Sequence, residues 1–208
     1  VNKRAFIFLV SCLWLPGCSW LPQIPDPFAD KPPVVKDQNA SWKKHLAYIN
    51  SVQQWQLNGK LGIRTPDDSN SAYIDWQQQD KKYMILLSGP LGQSIAKLNG
   101  EPGHVELNTA DRGRYFANTP EQLMRNELGW NLPVSNLKFW IRGIPAPQGN
   151  QTISLNPQGL LAKLKQADWT IHYDRYQQVG ETWLPGKVRF FSKQLKLTFV
   201  IKDWQLSQ

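Results

Sequence analysis

The chain has 208 residues, 41% of them hydrophobic, enough for one domain with a sizeable core. Lys and Arg number 24 against 16 Asp and Glu, and the resulting formal charge of +8 favours anionic partners such as phosphates or lipid head groups. Both cysteines, Cys12 and Cys18, lie at the N-terminus, so the body is without a disulfide or a thiolate metal site.

The first residues read as an export signal. Lys3 and Arg4 form a short positive region, Ala5 to Leu15 is almost wholly apolar, and no acidic residue precedes Asp26. The apolar run is too short to span a bilayer as a stop-transfer helix. It ends in Leu15-Pro16-Gly17-Cys18, which resembles the bacterial lipobox, with Pro16 standing where Ala, Ser or Thr is usual. On this reading residues 1–17 are removed and Cys18 is the acylated anchor. Ser19 stands where an Asp would resemble the inner-membrane retention signal, which points to the outer membrane. Residues 18–39, with Pro22, Pro25, Pro27, Pro32 and Pro33, form an extended tether without a core of its own. The folded body then spans 40–208.

That body opens with a helix. Ser41 serves as its cap, and Trp42, Leu46, Ile49 and Val52 recur at helical spacing. The period then drops to two. Trp55, Leu57, Leu61 and Ile63 share one face of a strand, and Ala72, Ile74 and Trp76 alternate in the next, beyond the turn cluster of 65–70. Two further runs, Tyr83 to Leu87 and Ser94 to Leu98, are joined by the bend Gly89-Pro90-Leu91-Gly92. Val105, Leu107 and residues 114–117 continue the meander. Thr119-Pro120-Glu121-Gln122 opens a second helix that Gly129 stops, and Ser135 opens a third carrying Leu137, Trp140 and Ile141. Alternation returns at Trp169, Ile171 and Tyr173, at Val188 and Phe190, and most clearly at Leu195, Leu197, Phe199 and Ile201. Antiparallel strands with a few short helices make an α+β domain or a helix-plugged barrel.

Catalytic patterns are weak. His45, His104 and His172 show no paired-ligand spacing. There is no Gly-rich nucleotide loop ending in Lys-Ser or Lys-Thr. Gly92-Gln93-Ser94-Ile95-Ala96 has the look of a nucleophile elbow, but Ser94 begins a strand where that motif needs a strand-to-helix turn. The export signal argues against nucleic acid as the partner of the basic charge. Leu91 is the odd residue, an apolar side chain at the tip of a bend that belongs on the surface.

Taken together, several segments resemble the LolB family of outer-membrane lipoprotein receptors. They are the lipobox and proline tether, Trp55-Gln56-Leu57-Asn58-Gly59, the Gly89 to Gly92 bend, Lys138 to Pro145, Trp169 to Tyr176 and the ending Lys202-Asp203-Trp204. The resemblance implies an incomplete antiparallel β-barrel wrapped around short helices, with an apolar cavity between them. It also implies a non-enzymatic role without a cofactor beyond acylation at Cys18. That role is to take lipoproteins from the periplasmic carrier LolA by their acyl chains and place them in the outer membrane's inner leaflet, acting as a monomer. The family's membrane-delivery Leu falls on Leu91. Residues expected to line the cavity are Leu57, Leu61, Trp76, Leu86, Leu98, Trp140, Ile141, Tyr173 and Phe199, although an alternating apolar residue is core more often than ligand wall. Two other readings stay open, a subunit of an outer-membrane assembly machine and an anchored binder of another apolar ligand.

Overall fold

A computed structural model describes residues 32–207. The signal region and Cys18 lie outside these residues. Helix α1 (Gln38–Ser51) begins before the expected cap at Ser41, because the Asp37 carboxylate accepts the Ala40 amide at 3.0 Å. Trp42, His45 and Ile49 form its buried stripe. The end of the expected tether is also engaged with the body, since the Val35 amide donates to the Pro157 carbonyl at 3.1 Å.

Six strands follow as a meander, β1 (Gln54–Arg64), β2 (Ser69–Gln79), β3 (Lys82–Ser88), β4 (Ser94–Glu101), β5 (His104–Thr109) and β6 (Gly113–Ala117). Helices α2 (Pro120–Leu128) and α3 (Val134–Trp140) come next, and β7 (Gln151–Leu155), β8 (Leu161–Gln166), β9 (Trp169–Val179), β10 (Thr182–Phe191) and β11 (Lys196–Ser207) complete the chain. All eleven strands form one antiparallel sheet in the order β6-β5-β4-β3-β2-β1-β11-β10-β9-β8-β7. The first and last strands therefore meet in the middle, where Leu61 faces Phe199 across the ladder. Strands β6 and β7 are free edges, so the sheet curls without closing. This is an incomplete barrel of the expected α+β class, and α2 and α3 lie in the connection between its two edges.

Local chemistry explains most of the boundaries. The Thr119 hydroxyl accepts the Gln122 amide at 3.2 Å, Pro120 occupies the first turn, and Gly129 ends α2 at φ 68°. Ser135 is not the cap of α3. Pro133 precedes that helix without a side-chain cap bond, and the Ser135 amide donates to Glu121 Oε1 at 2.7 Å, tying α3 to α2. Gly59 marks a register shift in the β1–β11 ladder, where a Cβ would strike the Val200 carbonyl oxygen and come within 2.9 Å of the Ile201 Cα.

Strands β7 and β8 have no counterpart in the expected pattern. β7 is mostly exposed and β8 buries Leu161, Leu164 and Gln166, because a register shift at Leu155 replaces simple alternation with a spacing of three. Two apolar clusters result. The larger joins α1, α3 and the central and C-terminal strands, and the smaller joins Leu98, Val105, Leu107, Leu123, Met124 and Val134.

Candidate functional site

Space remains on the concave face where the two clusters meet. A cavity of about 510 Å³ is walled by Leu61, Ile74, Trp76, Leu137, Leu197 and Phe199 from the larger cluster and by Leu98, Leu107, Met124 and Val134 from the smaller. Ile85, Leu87, Trp130 and Leu132 complete the apolar wall, while Asn70, Ser71, Thr109, Asp111 and Arg112 supply polar groups at one end. That end holds the β1–β2 and β5–β6 turns and the loop from β3 to β4, as the antiparallel registers require. A methylene, close in size to a water molecule, needs ~30 Å³, so the cavity suits roughly one long hydrocarbon chain.

The β3–β4 loop is firmly built. Gly89 donates its amide to the Gln93 carbonyl at 2.9 Å, Gly92 donates to the Gly89 carbonyl at 3.0 Å, and the Leu91 amide donates to Gln93 Oε1 at 3.1 Å. Gly92 sits at φ 79°, a conformation that side chains disfavour, and the Gln93 amide fills the space where a Gly89 side chain would stand. These bonds fix the loop's shape, and at its tip the Leu91 side chain is 94% exposed. Pro90 is exposed beside it.

The residues expected in the cavity divide into three groups. Leu61, Trp76, Leu98 and Phe199 stand on its wall. Leu57, Trp140, Ile141 and Tyr173 do not; they lie within the larger cluster, each buried. Trp140 donates its indole N–H to Gln166 Oε1 at 2.8 Å, and Tyr173 donates its hydroxyl to the Trp140 carbonyl at 2.9 Å, so both are locked into solid packing. Leu86 is on the opposite face of the sheet, between Asp75 and Lys97. Its neighbour Ile85 takes the cavity position, directly between Trp76 and Leu98 in the ladder. Five apolar residues in a row, 83–87, concealed which parity faces inward; the pairing with Trp76 would have revealed it. Met124 and Leu128 of α2 were also missed, because their contribution depends on how the helix crosses the sheet.

Buried polar groups brace the solid side. Gln166 accepts from Trp140 and from the Ala146 amide, and donates to the Ala146 and Gln148 carbonyls. Arg142, buried and without a carboxylate partner among the described residues, donates to the Ile49 and Val52 carbonyls at 3.0 Å each, closing the C-terminus of α1. Burial pulls its guanidinium down to about 10. Among the described residues no three His, Cys, Asp or Glu side chains converge on a metal-sized site.

Comparison with known proteins supplies the family. The profile described as outer membrane lipoprotein LolB matches residues 53–204. The chain belongs to the LolB family. It is 45% identical over 170 residues to the outer-membrane lipoprotein LolB of Pseudomonas savastanoi pv. phaseolicola, covering 82% of this chain and 83% of that relative. It is 44% identical over 168 residues to the Pseudomonas aeruginosa protein of the same name, with 81% and 82% covered. LolB membership makes the chain a non-enzymatic lipoprotein of the outer membrane. The fold has wider kin. A LolA superfamily protein from Nitrosomonas europaea superposes with a TM-score of 0.54 at 7% identity, over 82% of this chain and 94% of the other. A putative outer membrane lipoprotein-sorting protein domain from Vibrio parahaemolyticus gives a TM-score of 0.51 at 9% identity, over 80% and 94%.

Proposed function

We propose that this LolB-family chain receives lipoproteins from the periplasmic carrier LolA, shelters their acyl chains in the apolar cavity and releases them into the inner leaflet of the outer membrane. The observation that carries this reading is the cavity of about 510 Å³ whose polar end shares a side of the sheet with the exposed Leu91. Exposing acyl chain to water costs about 0.8 kcal/mol per methylene, so one long chain costs on the order of 10 kcal/mol. A lipoprotein crossing water therefore needs a continuous apolar shelter. Transfer down a gradient of affinity, from carrier to receptor to bilayer, needs no nucleotide at this step.

Within this reading residues 1–17 are the cleaved signal, Cys18 carries the lipid anchor, and the stretch between Cys18 and the docked Val35 sets the reach of a monomeric body. Leu91 enters the leaflet and brings the cavity against it. Incubating the chain with LolA loaded with labelled lipoprotein tests the first half, and cargo should move to the receptor. A stable complex without movement of cargo would indicate an assembly subunit instead. Leu91→Glu tests the second half. Transfer from LolA should persist while delivery to vesicles falls about tenfold or more, since a charge in place of an inserted leucine costs a few kcal/mol. Unchanged delivery removes Leu91 from the mechanism.

A further inference from the structure

A second cavity, of about 360 Å³, lies at the opposite end of the same concave face. It shares Trp76 and Val134 with the first, so a single partition separates the two. The lining changes character across that partition. Beyond it stand Lys81 of the β2–β3 turn, Tyr83 of β3, Glu101 at the end of β4, Thr119 before α2 and Lys138 of α3.

Three features of this annex are unresolved by the protein itself. The Tyr83 hydroxyl is buried and has no hydrogen-bond partner among the described residues, a costly arrangement for a donor. Among the described residues neither Lys81 nor Lys138 pairs with a carboxylate. Burial, then the neighbouring Arg142, hold the Lys138 ammonium below its ordinary pKa against a partial pull from Asp80. Of the nearby acids, Glu101 is engaged with Lys82 at 2.8 Å and Glu121 with the Ser135 amide at 2.7 Å, which leaves Asp80 as the one acid acting on Lys138. Burial first, and the Glu121 charge second, raise the Tyr83 pKa, so the phenol remains a donor at neutral pH. Among the described residues, the groups that face the annex without a polar partner are thus the buried Tyr83 hydroxyl and the half-buried Lys138 ammonium, both donors, with the exposed Lys81 beside them. What satisfies them is an anionic oxygen.

We infer that the annex is a head-group site for a free single-chain amphiphile with an anionic oxygen, whose hydrocarbon tail passes the Trp76–Val134 partition into the first cavity. A carboxylate or a phosphate would serve, accepting from the Tyr83 hydroxyl and lying between Lys81 and Lys138. The tail occupies the space that cargo acyl chains would use, so such an amphiphile competes with cargo. This rests on the reading of the first cavity as an acyl-chain shelter.

Photo-crosslinking on the full chain, held on neutral phosphatidylcholine vesicles, tests the orientation. Palmitate carrying a diazirine beside its carboxylate should label Lys81, Tyr83 or Lys138, and palmitate with a terminal diazirine should label the wall near Leu98 and Phe199. Carboxyl-end labelling at the Leu91 end, or nowhere, overturns the inference. Lys138→Met and Tyr83→Phe should each lower palmitate labelling about tenfold, the loss expected for one charge-assisted or buried hydrogen bond, and leave hexadecanol labelling of the first cavity unchanged. Equal labelling by palmitate in wild type and both variants also overturns it. Hexadecanol separates the two readings. If it enters the first cavity and palmitate gains nothing from the annex, only the head-group site fails; if neither enters, the shelter fails as well. Lysophosphatidylglycerol in place of palmitate decides between phosphate and carboxylate as the preferred head, and inorganic phosphate should protect Lys138 weakly, since it lacks the tail.

Discussion

The two arms of the sheet are built from similarly apolar strands and end in opposite states. On β10 the residues Leu184, Val188 and Phe190 are each fully buried, with Ile171 of β9 beside them. On β3 none of the seven residues is buried, although five of them are apolar or aromatic. The difference is what covers each arm. Helix α3 inserts Trp140 against β8–β10, where it meets Trp169 and Phe190 at ring distances of 6.3 and 6.4 Å and is pinned by Gln166. Over β3 and β4 the cover comes from nine-residue α2 and the segment after it, and Ile85 and Leu87 are left facing space. One arm is a scaffold and the other a container. A hydrophobic strand face therefore predicts burial only together with the element laid across it.

This contrast is testable, beginning with the largest effect. Trp140→Ala should cost about 3–5 kcal/mol in chemical denaturation, as expected for a large buried aromatic. Leu98→Ala, on the cavity wall, should cost clearly less because one side of that residue already lacks packing partners. Equal losses would erase the distinction between scaffold and container.

The next effect is a pH dependence that belongs to the scaffold side. Burial lowers His45 from 6.5 to about 4, and its Nε2 has no partner among the described residues. The unfolded chain therefore binds the extra proton first as pH falls. Stability is complete above about pH 6.5 and is lost as pH drops toward 4, by up to about 3 kcal/mol. His45→Gln should flatten this window in denaturation midpoints measured between pH 7 and 4, at some cost in packing at neutral pH.

Two smaller effects concern how α1 and the central seam are held. Arg142→Met should destabilise the fold by about 1–3 kcal/mol, because the Ile49 and Val52 carbonyls lose their donor. Gly59→Ala should cost a similar ~1–3 kcal/mol by forcing β1 away from β11, read in the same assay. The smallest stability change is expected on the container side. Ala96→Phe projects into the cavity and should alter stability by less than about 1 kcal/mol. It should nevertheless cut lipoprotein uptake from LolA sharply, in a transfer assay with labelled cargo.

Much of this architecture was legible in advance. Thr119, Pro120 and Gly129 bound α2 through local hydrogen bonds and backbone geometry, which depend on a few adjacent residues. Alternation located β1, β2 and β9–β11, since a half-buried strand must point every second side chain inward. Leu91 was legible as well, because a Gly-Pro-Leu-Gly bend holds no core to receive it. Strands β7 and β8 were not, as a bulge broke their period, and neither was the inward parity of 83–87. Arg142 carried no signal at all, for its partners are carbonyls some ninety residues away.

The sequence by itself determined the meander, the basic charge, the loop leucine and a family likeness spread over the chain. Only the tertiary structure decided which apolar faces are core and which are wall. Alternation states which side of a strand avoids water; it does not state whether a helix arrives to fill the space beside it. That depends on where α2 and α3 come to rest between two sheet edges that never meet.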